Sequence, residues 1–154
     1  MGLLVRVSLT KGRPMTLLLD NKTLTDDRDV SGSVGTSENA IGSESAAEWV
    51  PACPVTDLEP SWGEAALIKA RQIALFLLSP SEVYAVSHRD PHTDANVMAR
   101  GIVGSRGDRP TIASPLHKEI YDLGSGECFT DPSLLLETFR TRIVGGMIEV
   151  EVLS

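Results

Sequence analysis

The sequence predicts an all-β domain over residues 48–154, behind an N-terminal extension of residues 1–47 that is expected to be disordered. Three observations carry that expectation. Short apolar runs recur along the domain, each bounded by Gly, Pro, Ser or Asp turn signals. The last run alternates, with Ile148, Val150 and Val152 set against Glu149 and Glu151, the period of a strand with one wet face. Residues 20–48, by contrast, are acidic and rich in Ser, Gly, Thr, Asn and Asp, with almost nothing to bury, so they are expected to be disordered. Regularly spaced short strands of this kind build a small antiparallel sandwich or barrel.

Each element follows from its own residues. Trp49–Cys53 opens the domain as a short strand, and Pro51, lacking an N–H, confines it to an edge. Residues 64–78 hold two apolar runs, AALI and IALFLL, split by Lys69-Ala70-Arg71, and read as a hairpin whose second strand is largely buried. Pro80-Ser81 turns the chain into a third strand, Glu82–Val86. Thr111–Ala113 and Ile120–Leu123 flank a polar loop, and Gly124-Ser125-Gly126 makes a tight turn with glycine where positive φ is wanted. Leu134–Leu136 suits a single turn of helix. Residues 137–144 and 147–153 pair across Gly145-Gly146, a two-residue hairpin signal.

Composition narrows the function. The formal net charge of −7 argues against free nucleic acid or an anionic membrane as partner. No run approaches the ~20 apolar residues that span a bilayer, and residues 1–19 lack the pattern of a cleaved signal peptide. A second start at Met15 is plausible, and without a secretory signal the sequon Asn21-Lys22-Thr23 is read as chance. Two cysteines, Cys53 and Cys128, cannot make a four-thiolate metal site and point to reduced thiols in the cytoplasm. Cys128 reads as a small buried thiol.

Two loops carry the chemistry: Asp90-Pro91-His92 and Ser114-Pro115-Leu116-His117. Between and beyond them stand Arg100-Gly101-Ile102-Val103, then Ser114 to Leu123, then Gly126-Glu127-Cys128. In this order and spacing the segment resembles the Rieske-like superfamily, and within it the small subunits of assimilatory NADH-dependent nitrite reductase. The resemblance covers nearly all of residues 49–152. With Cys at 90 and 114 the loops would be the C-P-H and C-P-L-H ligand loops of a Rieske cluster, where two thiolates hold one iron and two imidazoles the other. Here both histidines remain, while a carboxylate and a hydroxyl stand at the thiolate positions. Neither replaces a soft thiolate on a sulfide-bridged iron. The resemblance therefore implies a Rieske-like antiparallel β-sandwich or barrel whose two loops, at Asp90, His92, Ser114 and His117, form a vestigial cluster-binding tip.

What the resemblance implies about function follows. The chain would be a small, non-haem accessory subunit, with no catalytic residue and no cofactor of its own. Flavin, an iron–sulfur cluster and sirohaem would lie in a large catalytic subunit that takes electrons from NADH and reduces nitrite to ammonium. The alternative is a stand-alone metal-binding or redox adaptor protein of Rieske shape, with Asp90, His92 and His117 as a two-histidine, one-carboxylate site. A Ser114–His117–Asp90 triad lacks a strand–elbow–helix setting and an oxyanion device. Residues 101–107 lack the following helix of a phosphate-binding loop, and Arg106-Gly107-Asp108 is an adhesion tripeptide by letters alone. Arg89, Arg100, Arg106 and Arg109 crowd the region between the loops and are the candidate partner-binding residues, since arginine is enriched at protein interfaces.

Overall fold

The computed structural model describes residues 5–7 and 47–153. Ten strands follow the extension in order: β2 (Ala47–Pro54), β3 (Gly63–Ile68), β4 (Arg71–Ser79), β5 (Glu82–Ser87), β6 (Ile102–Arg106), β7 (Arg109–Ala113), β8 (Ile120–Asp122), β9 (Thr138–Phe139), β10 (Thr141–Val144) and β11 (Met147–Leu153). Ahead of them, β1 (Val5–Val7) pairs antiparallel with β3, Val5 opposite Leu67. At those three residues the expectation of a disordered extension does not match the structure. Ala47 likewise begins β2, and residues 1–4 and 8–46, Met15 and the sequon included, lie outside the described residues.

The strands form three antiparallel sheets, ordered β1-β3-β4-β5-β9, β10-β11-β2 and β6-β7-β8. The first is the middle layer, and β4 shows why its sequence is a nearly unbroken apolar run. Ile73, Leu75 and Leu77 point into one core with Ile148, Val150 and Val152 of β11. Ala74 and Phe76, between them, point into a second core with Ile112 of β7 and Tyr121 of β8. A strand covered on both faces has no wet side to alternate with. β2 lies at the edge of its sheet, as Pro51 requires, and a bulge interrupts its pairing beside Ile148 and Glu149.

The hairpin between β3 and β4 turns on two residues, Lys69 and Ala70, both at positive φ (47° and 63°) without a glycine to relieve it. The β10–β11 hairpin uses Gly145-Gly146 at φ 58° and 79° for the same turn. Arg106-Gly107-Asp108 is likewise a hairpin corner, joining β6 to β7. In Gly124-Ser125-Gly126 only Gly126 takes positive φ (78°), and a Cβ there would stand 1.9 Å from the Leu136 carbonyl oxygen. Leu134–Leu136 is not helical. Pro132-Ser133 makes a turn, and Leu135 then bridges Glu127, drawing the segment onto the β8 loop.

Candidate functional site

The two loops that stand out in the sequence come together, and their backbones are built alike. The first leaves β5; its Asp90 N–H donates to the Ala95 carbonyl (2.8 Å), and the Asp94 N–H returns to the Asp90 carbonyl (2.8 Å). The second leaves β7; its Ser114 N–H donates to the Glu119 carbonyl (2.9 Å), and the Lys118 N–H returns to the Ser114 carbonyl (3.1 Å). Each loop reverses through one left-handed residue, Asp94 (φ 61°) or Lys118 (φ 63°). In each, the leading side chain also caps the residue two further on. Asp90 Oδ1 accepts the His92 N–H (2.9 Å), and Ser114 Oγ accepts the Leu116 N–H (3.3 Å).

The leading side chains also hold the loops to each other. The Ser114 hydroxyl donates to Asp90 Oδ2 at 2.5 Å, with both residues buried. Both carboxylate oxygens of Asp90 thus have donors within the tip, as a buried polar group requires. Outside this pair the imidazoles of His92 and His117 lie face to face at 4.5 Å between ring centroids, tilted by 31°. The carboxylate beside them is that of Glu119, whose Oε1 lies 3.3 Å from His92 Nδ1. This differs from the sequence-based grouping of Asp90 with the histidines. Asp90 turns inward to Ser114, and Glu119, brought round by the left-handed turn at Lys118, takes the outer position.

These loops sit on the second core. His88, at the root of the first loop, is buried, and its Nδ1 accepts the Ala99 N–H at 3.1 Å. Burial, reinforced by the nearby Arg100 guanidinium, lowers its pKa. Tyr121 lies fully buried in that core, and its hydroxyl pKa is raised by burial and by the Asp90 carboxylate.

The four arginines separate by environment. Arg109 is committed within the fold: it donates to Asp122 Oδ2 (2.6 Å), Glu127 Oε2 (2.9 Å) and Ser125 Oγ (3.2 Å). Burial works to raise the pKa of Asp122. The Ser125 and Gly124 N–H groups and Arg109 outweigh it and hold that carboxyl below the usual range. Arg89 pairs on the surface with Asp94 (2.9 Å). Arg100 lies over the half-exposed Trp62 ring at 5.9 Å, and Arg106 lies over Phe129 at 4.7 Å. Among the described residues, no carboxylate pairs with Arg100 or Arg106. Leu116 and Ile102 are exposed apolar residues on the second loop and on β6.

Residues 48–151 match the Rieske-like [2Fe-2S] domain family. The chain belongs to that family. Within it, the nitrite reductase (NADH) small subunit of Salmonella typhimurium is 30% identical over 67% of this chain and 96% of its own length. A crystal structure assigned as the NADH-dependent nitrite reductase small subunit of Mycobacterium tuberculosis superposes with a TM-score of 0.67 at 36% identity, covering 71% of this chain and 98% of that one. The nitrite reductase [NAD(P)H] large subunit of Klebsiella oxytoca is 36% identical over 66% of this chain, a stretch that makes up 11% of that protein. These relatives place the chain with the nitrite reductase small subunits of the Rieske-like family.

The family's cluster does not fit the residues present. The two positions that the resemblance assigns to thiolates hold Asp90 and Ser114, already bonded to each other and to the loop backbone. The two cysteines are elsewhere: Cys53 packs in the first core, and Cys128 lies in the second, its Sγ against Thr130 Oγ1 (3.3 Å) and the Asp131 N–H (3.4 Å). Hard oxygen donors tied up in a short hydrogen bond do not substitute for thiolates on a sulfide-bridged iron.

Proposed function

We infer that this chain is the small, non-haem accessory subunit of an NADH-dependent nitrite reductase, and that it docks on the large catalytic subunit without carrying electrons through a cluster of its own. One observation carries the reading. The same domain accounts for nearly the full length of a separate small subunit in Salmonella typhimurium and forms part of the large subunit in Klebsiella oxytoca. A domain found both tethered to an enzyme and free beside it is expected to work in contact with that enzyme, the tether supplying by effective concentration what an interface must otherwise supply. Flavin, iron–sulfur cluster and sirohaem belong to the large subunit on this reading, and nitrite is reduced to ammonium there. Use of NADH puts the assembly in the cytoplasm. Among the described residues, no helix is long and apolar enough to cross a membrane.

The face that docks is the two-loop tip with its flank. Arg100 and Arg106 lie over aromatic rings and, among the described residues, pair with no carboxylate; Ile102 is exposed two residues after Arg100, Leu116 is exposed on the second loop, and Arg89 lies on the first. Exposed apolar residues together with arginine are the composition of a binding surface. Arg109 serves that face indirectly, by fixing the β8 turn beneath it. The reading is tested by binding the large subunit to Arg100→Glu and Arg106→Glu variants. Each is expected to weaken association at least tenfold, and the pair to abolish co-elution, with the unfolding midpoint of the small subunit unchanged. Unaltered binding by both variants would overturn this docking face.

A further inference from the structure

We propose that His92, His117 and Glu119 form a mononuclear site for a divalent transition-metal ion of the zinc class at the tip of the two loops. Their ligand atoms all lie within 4.8 Å of one another. Two imidazole nitrogens and one carboxylate oxygen suit Zn2+, Co2+ or Ni2+, at ~2.0–2.2 Å per bond and with a coordination position left open to solvent. Ligand atoms on such a shell stand about 3–4 Å apart. Rotation of the two exposed imidazoles by about an ångström therefore closes the site. The loop backbones that carry them are already fixed by the paired hydrogen bonds and by the Asp90–Ser114 link.

A second observation points the same way. Glu119 Oε2 is buried and has no hydrogen-bond partner among the described residues, while Oε1 faces His92. A carboxylate oxygen removed from water and left unpaired costs free energy, and a cation held against the imidazoles relieves that cost. The site differs from a Rieske cluster in nuclearity and in ligands: it uses one ion, no thiolate and no sulfide, and Glu119 is the third donor. The proposal is independent of the subunit reading, since the three side chains belong to this chain alone.

Chelator-treated full-length protein titrated with Co2+ is expected to bind one equivalent, with a visible d–d absorption band and a rise in unfolding temperature. Zn2+ added afterwards should bleach the band. Glu119→Gln should weaken Co2+ binding at least tenfold, and the His92→Ala/His117→Ala double variant should abolish both the band and the thermal shift, while metal-free circular dichroism stays that of the wild type. His88→Asn, which removes the only other histidine, should leave the titration unchanged. If the double variant still takes up the equivalent, the ion is bound elsewhere, the acidic extension included, and the proposal fails. It fails equally if wild-type protein shows no band, or if Glu119→Gln binds like wild type.

Discussion

The hydrogen bond between Ser114 and Asp90 joins the two loops through buried side chains, so cutting it tests how the tip is held. Ser114→Ala removes the donor to Asp90 Oδ2 and the acceptor of the Leu116 N–H, and it leaves a carboxylate oxygen on a fully buried residue without its partner. An orphaned buried acceptor costs about 1–3 kcal/mol. In a domain of this size each kcal/mol corresponds to roughly 4–8 °C in Tm, so the expected loss is about 4–24 °C. Asp90→Ala should cost at least as much, because it also strips the cap from the His92 N–H. The informative measurement is the double-mutant cycle, run by urea and thermal unfolding. If the two residues act as one link, the double variant should be less destabilised than the sum of the singles by about 1–2 kcal/mol. Additivity to within about 0.5 kcal/mol, or a Ser114→Ala loss under about 2 °C, would refute the claim that this pair ties the loops together.

Two further outcomes are expected. Burial and Arg100 hold the His88 pKa below its ordinary value, so the folded state binds fewer protons there than the unfolded chain. Stability is then full above the unfolded pKa of about 6.5 and falls as pH drops below it, by at most about 1.4 kcal/mol per pH unit. His88→Asn, which keeps an acceptor for the Ala99 N–H, should flatten that limb in urea unfolding followed from pH 7 to 5; an unchanged slope would sink the assignment. Ala70→Gly should stabilise the β3–β4 hairpin by about 0.5–1 kcal/mol, because a left-handed alanine costs more than the entropy glycine adds; a lowered unfolding midpoint would contradict that balance.

Strands that bury a face were legible in the sequence, and strands that do not were not. β4 reads directly from its apolar run, β11 from its alternation, and β2's edge position from Pro51. β6 escaped because Ile102–Arg106 is exposed at every position but Val103, so no hydrophobic period marks it and its pairing with β7 alone makes it a strand. The segment before Gly145-Gly146 reads as one strand, yet it changes sheets at Arg140: β9 pairs with β5, β10 with β11. Such a transfer depends on which neighbour is available, which no local pattern records. At the tip, Asp90, His92, Ser114 and His117 were legible from their two matching prolyl loops. Glu119 was not, because its place beside the imidazoles depends on Lys118 adopting positive φ, a conformation a lysine does not advertise.

The likeness of the two loops bears on what they have become. Each has an X-Pro turn, a side-chain cap two residues on, and a left-handed residue at the same step, so hydrogen bonds within the chain define both backbones. A thiol at position 114 would crowd the present loop spacing. The thiol–hydroxyl contact elsewhere in this protein, Cys128 to Thr130, spans 3.3 Å, against 2.5 Å from Ser114 to Asp90, so sulfur would have to push the loops about 0.8 Å apart. The inner pair has thus closed around a hydrogen bond that cluster ligands would have to reopen, at the energetic cost set out above. The outer side of the tip carries no such commitment. His92 and His117 are exposed there, as is Leu116, while Glu119 is largely covered and turns Oε1 towards His92. The tip thus has a shape fixed from within by Asp90 and Ser114 and an outer side on which two imidazoles remain exposed.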